Sequence, residues 1–151
     1  VKSENITYAV DAARANGVDN KATIYWHKTN PVPQVRKVNY LSSVEAILWV
    51  SRPSFTFNFS NQKDMHNWIE MPICAGKERY NHPAQKPERL ISKLLSVHSD
   101  KGDTVLDPFA GTGTTLFVAE QMGRDSIGIE IDPGYCDLIR NRMKSLQLRI
   151  C

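Results

Sequence analysis

The sequence of 151 residues is 41% hydrophobic and 23% charged, so it is long and apolar enough for one domain with its own core. This composition excludes collagen-like, low-complexity and disordered classes, and the net charge of +3 permits a polyanionic partner without requiring one. No apolar run reaches the ~18 residues of a membrane-spanning helix and no leader opens the chain, so no membrane partner is expected. Three cysteines without CxxC spacing argue against a disulfide framework or a zinc cluster, and they favour a reducing cytoplasm: Cys74, Cys136 and Cys151.

The first predicted element is a helix close to the start of the chain. The opening residues, VKSEN, contain no initiator methionine and read as the middle of a longer sequence. Ser3 or Asn5 would cap the helix and Gly17 would end it. The helix is predicted because apolar residues recur at helical spacing: Ile6, Ala9, Val10 and Ala13.

Strands follow this helix. The runs 22–26 (ATIYW) and 44–51 (VEAILWVS) are predicted to be strands, separated by a loop that contains two prolines. A third strand is considered at 55–59. The stretch 61–83 is polar and mixed, without a sustained period, so it is interpreted as irregular.

The second half of the chain alternates helix and strand. Pro87 suits the first position of a helix, whose apolar face would comprise Leu90, Ile91, Leu94, Leu95 and His98. Alternation of this kind indicates a parallel sheet with helices on its faces. The elements predicted after this helix are a strand at 104–106, a helix at 114–122 ended by Gly123, a strand at 125–131, and a helix from Pro133 to about Leu148 capped by Asp132.

A glycine-containing turn, DPFAGTGTT (107–115), lies between a predicted strand and a predicted helix. Such a turn presents backbone N–H groups and the positive end of a helix dipole to a phosphate or a carboxylate. No lysine follows Gly113, which excludes a P-loop, and Leu116 in the third glycine position weakens a dinucleotide fingerprint. Glu130, at the end of the next strand, could accept two hydrogen bonds from ribose hydroxyls. A nucleoside ligand without pyrophosphate fits best, and S-adenosyl-L-methionine is one; the alternative is a structural turn with a surface glutamate.

Three motifs together resemble those of the DNA amino-methyltransferases, which modify exocyclic amino groups in DNA and act in restriction–modification. They are HPAQKP (82–87), DPFAGTGTT (107–115) and IGIEIDPGY (127–135), in the order of the β class of these enzymes. IYWHKTNPVP (24–33) and EAILWVSR (45–52) resemble the segments that follow the catalytic strand. The resemblance implies an α/β fold with the Rossmann-like sheet of S-adenosylmethionine-dependent methyltransferases.

The resemblance also implies roles for particular residues. Glu130 would hold the ribose hydroxyls and Asp132 would lie near the adenine edge. Gln85 and Lys86 would approach the methionine moiety, with Lys86 as a cation near its carboxylate. The residues that would wrap the methionine and ribose are Asp107, Pro108, Phe109, Ala110, Gly111, Thr112, Gly113 and Thr114.

Other polar residues have alternative interpretations. Lys86 could instead be a solvated lysine in the first turn of a helix, and His82 is read as a hydrogen-bonding loop residue in preference to a catalyst. His27 and Lys28, just beyond a predicted strand, could meet DNA phosphate or could lie in an ordinary exposed loop. No metal ligands are expected.

The catalytic motif of these enzymes, [DNS]-P-P-[YFW], is not found in the sequence, which contains no Pro-Pro pair. The segment 132–135 (DPGY) imitates it, but the resemblance assigns this segment to cofactor binding and helix capping. No catalytic residue is therefore assigned. The family's catalytic strand would lie between the strands 22–26 and 104–106, so we expect an incomplete sheet in which both strands keep an unpaired edge.

We therefore interpret residues 1–151 as one partial methyltransferase domain. Residues 1–59 would be strands and a hairpin, 60–81 a short irregular target-recognition-like segment, and 82–151 the cofactor-binding part. The complete enzyme would methylate adenine-N6 or cytosine-N4 in DNA, and we expect this chain alone to be inactive. The alternatives are a non-catalytic module that pairs with a homodimer partner or a complementing chain, and a nicotinamide dehydrogenase domain, which Leu116 and HPAQKP disfavour.

Overall fold

The computed structural model describes residues 5–80 and 82–147, and the chain forms two compact units, residues 1–73 and 74–151. In this part of the chain no helix has both the length and the apolar character needed to cross a membrane. The first unit contains α1 (Ile6–Ala15), β1 (Asp19–Lys28), β2 (Val44–Ser51) and β3 (Trp68–Met71). The second unit contains α2 (Glu88–His98), β4 (Thr104–Asp107), α3 (Thr114–Gln121), β5 (Asp125–Gly128) and α4 (Pro133–Gln147).

Helix α1 confirms the predicted helix near the start of the chain. It begins after Asn5, and the chain turns at Gly17, whose φ of 70° lies in the left-handed region that favours glycine. Asn5 occupies the predicted N-cap position, but its side chain makes no capping hydrogen bond. The other candidate, Ser3, lies outside the described residues.

The sheet of the first unit has the order β2-β1-β3. Strand β1 pairs antiparallel with β2 and parallel with β3, and Trp26 in its second half is only 2% exposed. The indole N–H of Trp26 donates to the carbonyl of Met71 at 3.0 Å, so the buried ring also has its polar atom satisfied. Ile69 and Met71 of β3 are buried beside it.

Two predictions for the first unit are wrong. Residues 55–59 form no strand; instead the rings of Phe55 and Phe57 pack on Trp49, with centroids 5.6 and 4.9 Å away. The third strand is β3, inside the segment interpreted as irregular. A strand of four residues is too short for its alternation to stand out in the sequence, so its pairing with β1 decided its conformation.

The second unit confirms the predicted alternation of helix and strand. Strands β4 and β5 pair in parallel, from Thr104 opposite Asp125 to Asp107 opposite Gly128. Helix α3 is buried along most of its length, and Val118 is 1% exposed. Several boundaries differ from prediction. Pro87 precedes α2 instead of opening it, and β4, α3 and β5 end at Asp107, Gln121 and Gly128 instead of at residues 106, 122 and 131.

The expected pattern of open strand edges is corrected in part. The side of β1 that was expected to be open is paired with β3 along Tyr25–Lys28. Strand β4, in contrast, forms a ladder with β5 alone in the described part of the chain. The fold is mixed α/β with small, separate sheets, as expected for an incomplete methyltransferase sheet.

Candidate functional site

The glycine loop, residues 107–113, joins the carboxyl end of β4 to α3. Its turn is held internally: Asp107 Oδ1 accepts the N–H of Phe109 at 3.0 Å, and the N–H of Gly113 donates to the carbonyl of Ala110 at 2.7 Å. Gly111 and Gly113 have φ values of 53° and 74°, a region that side-chain-bearing residues rarely adopt. The two glycines are therefore required by the backbone of this loop.

Close neighbours surround both glycines. A Cβ atom at Gly113 would lie 2.7 Å from Cγ1 of Ile139 in α4, too close for any side chain. At Gly111 a Cβ atom would meet the ring of His82 at 3.4 Å. The absence of side chains lets α4 approach the loop on one side and leaves a cradle beside His82 on the other.

Glu130 ties the glycine loop to the segment after β5. Its Oε2 accepts the N–H of Gly111 at 2.7 Å, and its Oε1 accepts the N–H of Asp132 at 2.9 Å. The backbone hydrogen bonds from Asp132 and Gly111 lower the pKa of Glu130, because they stabilise the carboxylate. Each oxygen has accepted one protein donor and keeps a further lone pair for a ligand.

A cleft that is partly open to solvent and encloses about 90 Å³ lies at this end of β4. Eight of the twelve predicted cofactor-binding residues line it: Gln85, Lys86, Asp107, Phe109, Ala110, Gly111, Thr112 and Thr114. The other four, Pro108, Gly113, Glu130 and Asp132, belong to the loop backbone or to the segment after β5. His82, Ala84 and Thr115 complete the lining without having been predicted as ligand contacts.

The HPAQKP segment forms one wall of the cleft. The amide of Gln85 accepts the N–H of Tyr80 at 2.9 Å and donates to the carbonyl of Glu78 at 2.7 Å, so it fixes the chain that precedes the wall. His82 Nδ1 accepts the N–H of Ala84 at 3.1 Å, which confirms its interpretation as a hydrogen-bonding loop residue.

Asp132 caps helix α4. Its Oδ1 accepts the N–H of Gly134 at 2.7 Å and that of Tyr135 at 3.3 Å, as an N-cap aspartate does. Capping by the first residue of the DPGY segment is confirmed.

Helix α3 lies close to β5 because a glycine of the strand faces a leucine of the helix. In a dinucleotide fingerprint the third glycine, on the helix, permits close contact with the strand. Here that place holds Leu116, and the strand residue opposite it is Gly128, where a Cβ atom would lie 2.3 Å from Leu116 Cδ1. The small residue is on β5 instead of α3, so the close contact is kept without the fingerprint.

Arg142 of α4 supports the glycine loop, and no sequence motif predicted this role. Its guanidinium is 4% exposed, donates to the carbonyl of Thr112 at 2.7 Å, and pairs with Glu88 at 2.9 Å. It also stacks over the rings of Tyr80 and Phe117 at 4.5 and 4.7 Å. These contacts come from two stretches, 80–88 and 112–117, that are distant in sequence from Arg142, so only tertiary structure could identify them.

Comparisons with known proteins agree with the motifs. A family model described as DNA methylase matches residues 2–141. The chain belongs to the N6/N4 DNA methylase family. The Type II methyltransferase M.HinfI of Haemophilus influenzae is 37% identical over 141 residues, and M2.DpnII of Streptococcus pneumoniae is 33% identical over 134 residues. The crystal structure of an M1.HpyAVI–SAM complex superposes with a TM-score of 0.85 at 34% identity.

The methylase chain is shorter than these relatives. The matches cover 82% of this chain but 39% of M.HinfI, and 81% of this chain but 50% of M2.DpnII. The structural match covers 95% of this chain and 71% of M1.HpyAVI.

Two other polar residues of the methylase chain differ from their predicted setting. His27 and Lys28 lie within β1, not beyond a strand end. His27 stacks on Trp68 and its Nδ1 lies 3.1 Å from Glu70 Oε1. Lys28, whose side chain is 13% exposed, pairs with Glu45 at 2.9 Å, so its charge is already neutralised within the unit. In residues 5–80 and 82–147 no group of three His, Cys, Asp or Glu residues is arranged to hold a metal ion.

Proposed function

We propose that this chain is the cofactor-binding part of a DNA methyltransferase that uses S-adenosyl-L-methionine to methylate the exocyclic amino group of adenine or cytosine. The observation that carries this proposal is the cleft at the carboxyl end of β4, which gathers eight residues of the family motifs. The M1.HpyAVI–SAM complex supports it, since its fold matches this chain over 95% of its length. DNA would be the substrate of the complete enzyme, and the protein would be located in the cytoplasm.

The residues of the cleft fit such a ligand. The lining combines polar side chains and backbone N–H groups with the apolar ring of Phe109, as a nucleoside with an amino-acid tail requires. Glu130 would accept the ribose hydroxyls with its remaining lone pairs, and Lys86 would face the methionine carboxylate. The residues proposed to surround the ligand are Gln85, Asp107, Pro108, Phe109, Ala110, Gly111, Thr112, Gly113, Thr114 and Asp132.

Within this site the chain's own groups bind and orient the cofactor. The sulfonium of S-adenosyl-L-methionine supplies an already activated methyl group, so alignment is the main task of the protein. Gly111 would let the ligand approach the loop backbone, and Glu130 would hold that loop while contacting the ribose. Arg142 would keep Thr112 in place from the opposite side.

A second candidate is a binding module that acts with another chain, either a second copy or one that supplies a catalytic motif. The observation that favours it is the uncovered apolar surface of the small sheet. Leu106 of β4 and Ile127 of β5 are 59% and 54% exposed. An additional strand beside β4 would pair with its edge backbone groups, and other parts of the same partner would cover these side chains.

The proposed function is tested by calorimetric titration of the chain with S-adenosyl-L-homocysteine, with its 2′,3′-dideoxy analogue and with NAD. We expect the homocysteine compound to bind, the analogue to bind more weakly, and NAD not to bind. Glu130→Ala should bind the parent compound less well, because it removes the carboxylate that would accept two charge-assisted hydrogen bonds from the ribose hydroxyls. The Ala variant should bind the parent compound and the analogue equally well if Glu130 contacts the ribose hydroxyls. If Glu130 only supports the loop, the variant should still prefer the parent compound.

The matched control is Glu120→Ala, since Glu120 lies on the exposed side of α3 in the same unit and bonds to Ser126. It should retain full affinity. Equal binding of the homocysteine compound by Glu130→Ala and the unaltered chain would overturn the assignment of the site, as would tight binding of NAD.

A further inference from the structure

The long connection between β1 and β2, residues 29–43, is here called the basic loop. It contains neither helix nor strand over its fifteen residues, a length at which loops of compact domains are usually functional. It contains Arg36 and Lys37 and no acidic residue. The loop therefore carries a local positive charge on a chain whose net charge is only +3.

Both ends of the basic loop are fixed to the first unit. At its start, Asn30 Oδ1 accepts the N–H of Ile73 at 2.7 Å. At its end, Lys28 Nζ donates to the carbonyl of Ser42 at 3.1 Å while it pairs with Glu45. Polar contacts therefore hold both ends of the basic loop in place within the first unit.

The middle of the basic loop exposes apolar side chains next to its cations. Val35 and Val38 are 91% and 80% exposed on either side of Arg36 and Lys37, and Tyr40 is 93% exposed. Lys37 has a φ of 52°, so the chain turns sharply at this point. Three exposed apolar side chains lie within six positions of two cations, so the loop offers both apolar contact area and positive charge to a partner.

We propose that the basic loop binds duplex DNA beside the base pair that is opened for methylation, an inference that rests on the proposed function. Arg36 and Lys37 would contact phosphates on either side of that step. Val35, Val38 and Tyr40 would pack against the bases left unstacked when the target nucleotide leaves the helix.

The composition of the loop favours DNA over an anionic membrane. Membrane surfaces are recognised by clusters of about four to eight cations or by long amphipathic helices with large apolar side chains. The basic loop has two cations, no helix and β-branched apolar residues, a pattern suited to a limited contact with two phosphates and one base step.

The test measures binding of the full chain to a fluorescent duplex and to the same duplex with one abasic site, by anisotropy over a range of salt concentrations. The unaltered chain should prefer the abasic duplex several-fold. Arg36→Gln/Lys37→Gln should weaken binding to both duplexes and reduce the salt slope by about 1.8, since each phosphate contact contributes about 0.9. Val35→Ser/Val38→Ser should lose the preference for the abasic duplex and keep the salt slope.

The matched control is Lys101→Gln/Lys144→Gln, which removes the same charge from exposed sites in the second unit. It should bind both duplexes as the unaltered chain does. The proposal is overturned if both loop variants bind like the unaltered chain, or if phosphatidylserine vesicles bind the loop and the duplexes do not. Titration of S-adenosyl-L-homocysteine into the same samples distinguishes the two proposals. If the unaltered chain binds S-adenosyl-L-homocysteine but the loop variants bind DNA as it does, only the loop proposal is refuted. If the unaltered chain does not bind S-adenosyl-L-homocysteine, the proposed function is refuted.

Discussion

The carboxylate of Glu130 accepts the N–H of Gly111 at 2.7 Å across nineteen positions of sequence, and it also accepts the N–H of Asp132. One side chain therefore joins the glycine loop to the start of α4. A residue predicted only as a ribose ligand thus also supports the loop.

The hydrogen bonds of Glu130 predict a dependence of stability on pH. Its folded pKa is lowered from the ordinary value of 4.5, so its contribution is present above that value and is lost as the pH falls through the folded pKa. Glu130→Gln offers one acceptor oxygen to two N–H donors and should be less stable at neutral pH. Urea unfolding should show that this difference shrinks at pH values below 4.5. A difference that is constant with pH would contradict the role of the carboxylate; Glu120→Gln is the control.

Gly113→Ala should destabilise the second unit strongly. The left-handed backbone costs about 1–2 kcal/mol for alanine, and overpacking against Ile139 adds about 1–3 kcal/mol. Gly102→Ala is the matched control, since Gly102 has a φ of 86° and open space around its Cβ position, so only the backbone cost applies. Unfolding by urea measures both variants. The predicted clash with Ile139 is refuted if Gly113→Ala lowers the free energy of unfolding no more than Gly102→Ala does. It is also refuted if adding Ile139→Ala to Gly113→Ala does not reduce the destabilisation.

Arg142→Met should weaken both the fold and cofactor binding. The methionine keeps the packing against Tyr80 and Phe117 but removes the hydrogen bonds that Arg142 donates to the carbonyl of Thr112 and to the carboxylate of Glu88, at a cost of about 1.5–3 kcal/mol. Urea unfolding and titration with S-adenosyl-L-homocysteine provide the two measurements.

Arg140→Met is the control for this substitution, because Arg140 is an exposed residue of the same helix with an exposed partner, Asp137. Its effect should stay within about 0.5 kcal/mol. If Arg142→Met lowers stability but leaves cofactor affinity unchanged, Arg142 supports the fold without positioning the glycine loop.

We expect no methyl transfer by this chain alone. The groups that would hold the target amine in line with the methyl donor are not encoded in residues 1–151, and alignment can contribute about 7–11 kcal/mol to such a step. Transfer of labelled methyl groups to mixed DNA, with cofactor binding measured in the same samples, tests this. Light scattering should show a mass above that of a monomer, because β4 pairs with β5 alone in the described part of the chain and could accept a further strand. Turnover by a monomer would contradict both expectations, and residues 132–135 would then be the first to substitute.

Much of the site could be predicted from sequence because its requirements are local. The φ values of Gly111 and Gly113 demand glycine, the cap of α4 demands a residue such as Asp132, and both appear within a few positions of the elements they join. The strands and helices of the second unit also follow local apolar patterns. Strand β3 was not predicted from its local sequence, because its four residues take the strand conformation through their pairing with β1.

The sequence by itself therefore determined the family motifs, the turn that forms the cofactor loop, and the alternation of strand and helix around it. Tertiary structure alone decided which distant groups hold that loop and which charges remain free. Arg142 reaches Thr112 across thirty positions, and Lys28 is neutralised by Glu45 of a neighbouring strand while Arg36 and Lys37 stay exposed. The physical reason is that a backbone conformation depends on nearby residues, whereas the partner of a charged side chain depends on which elements pack together.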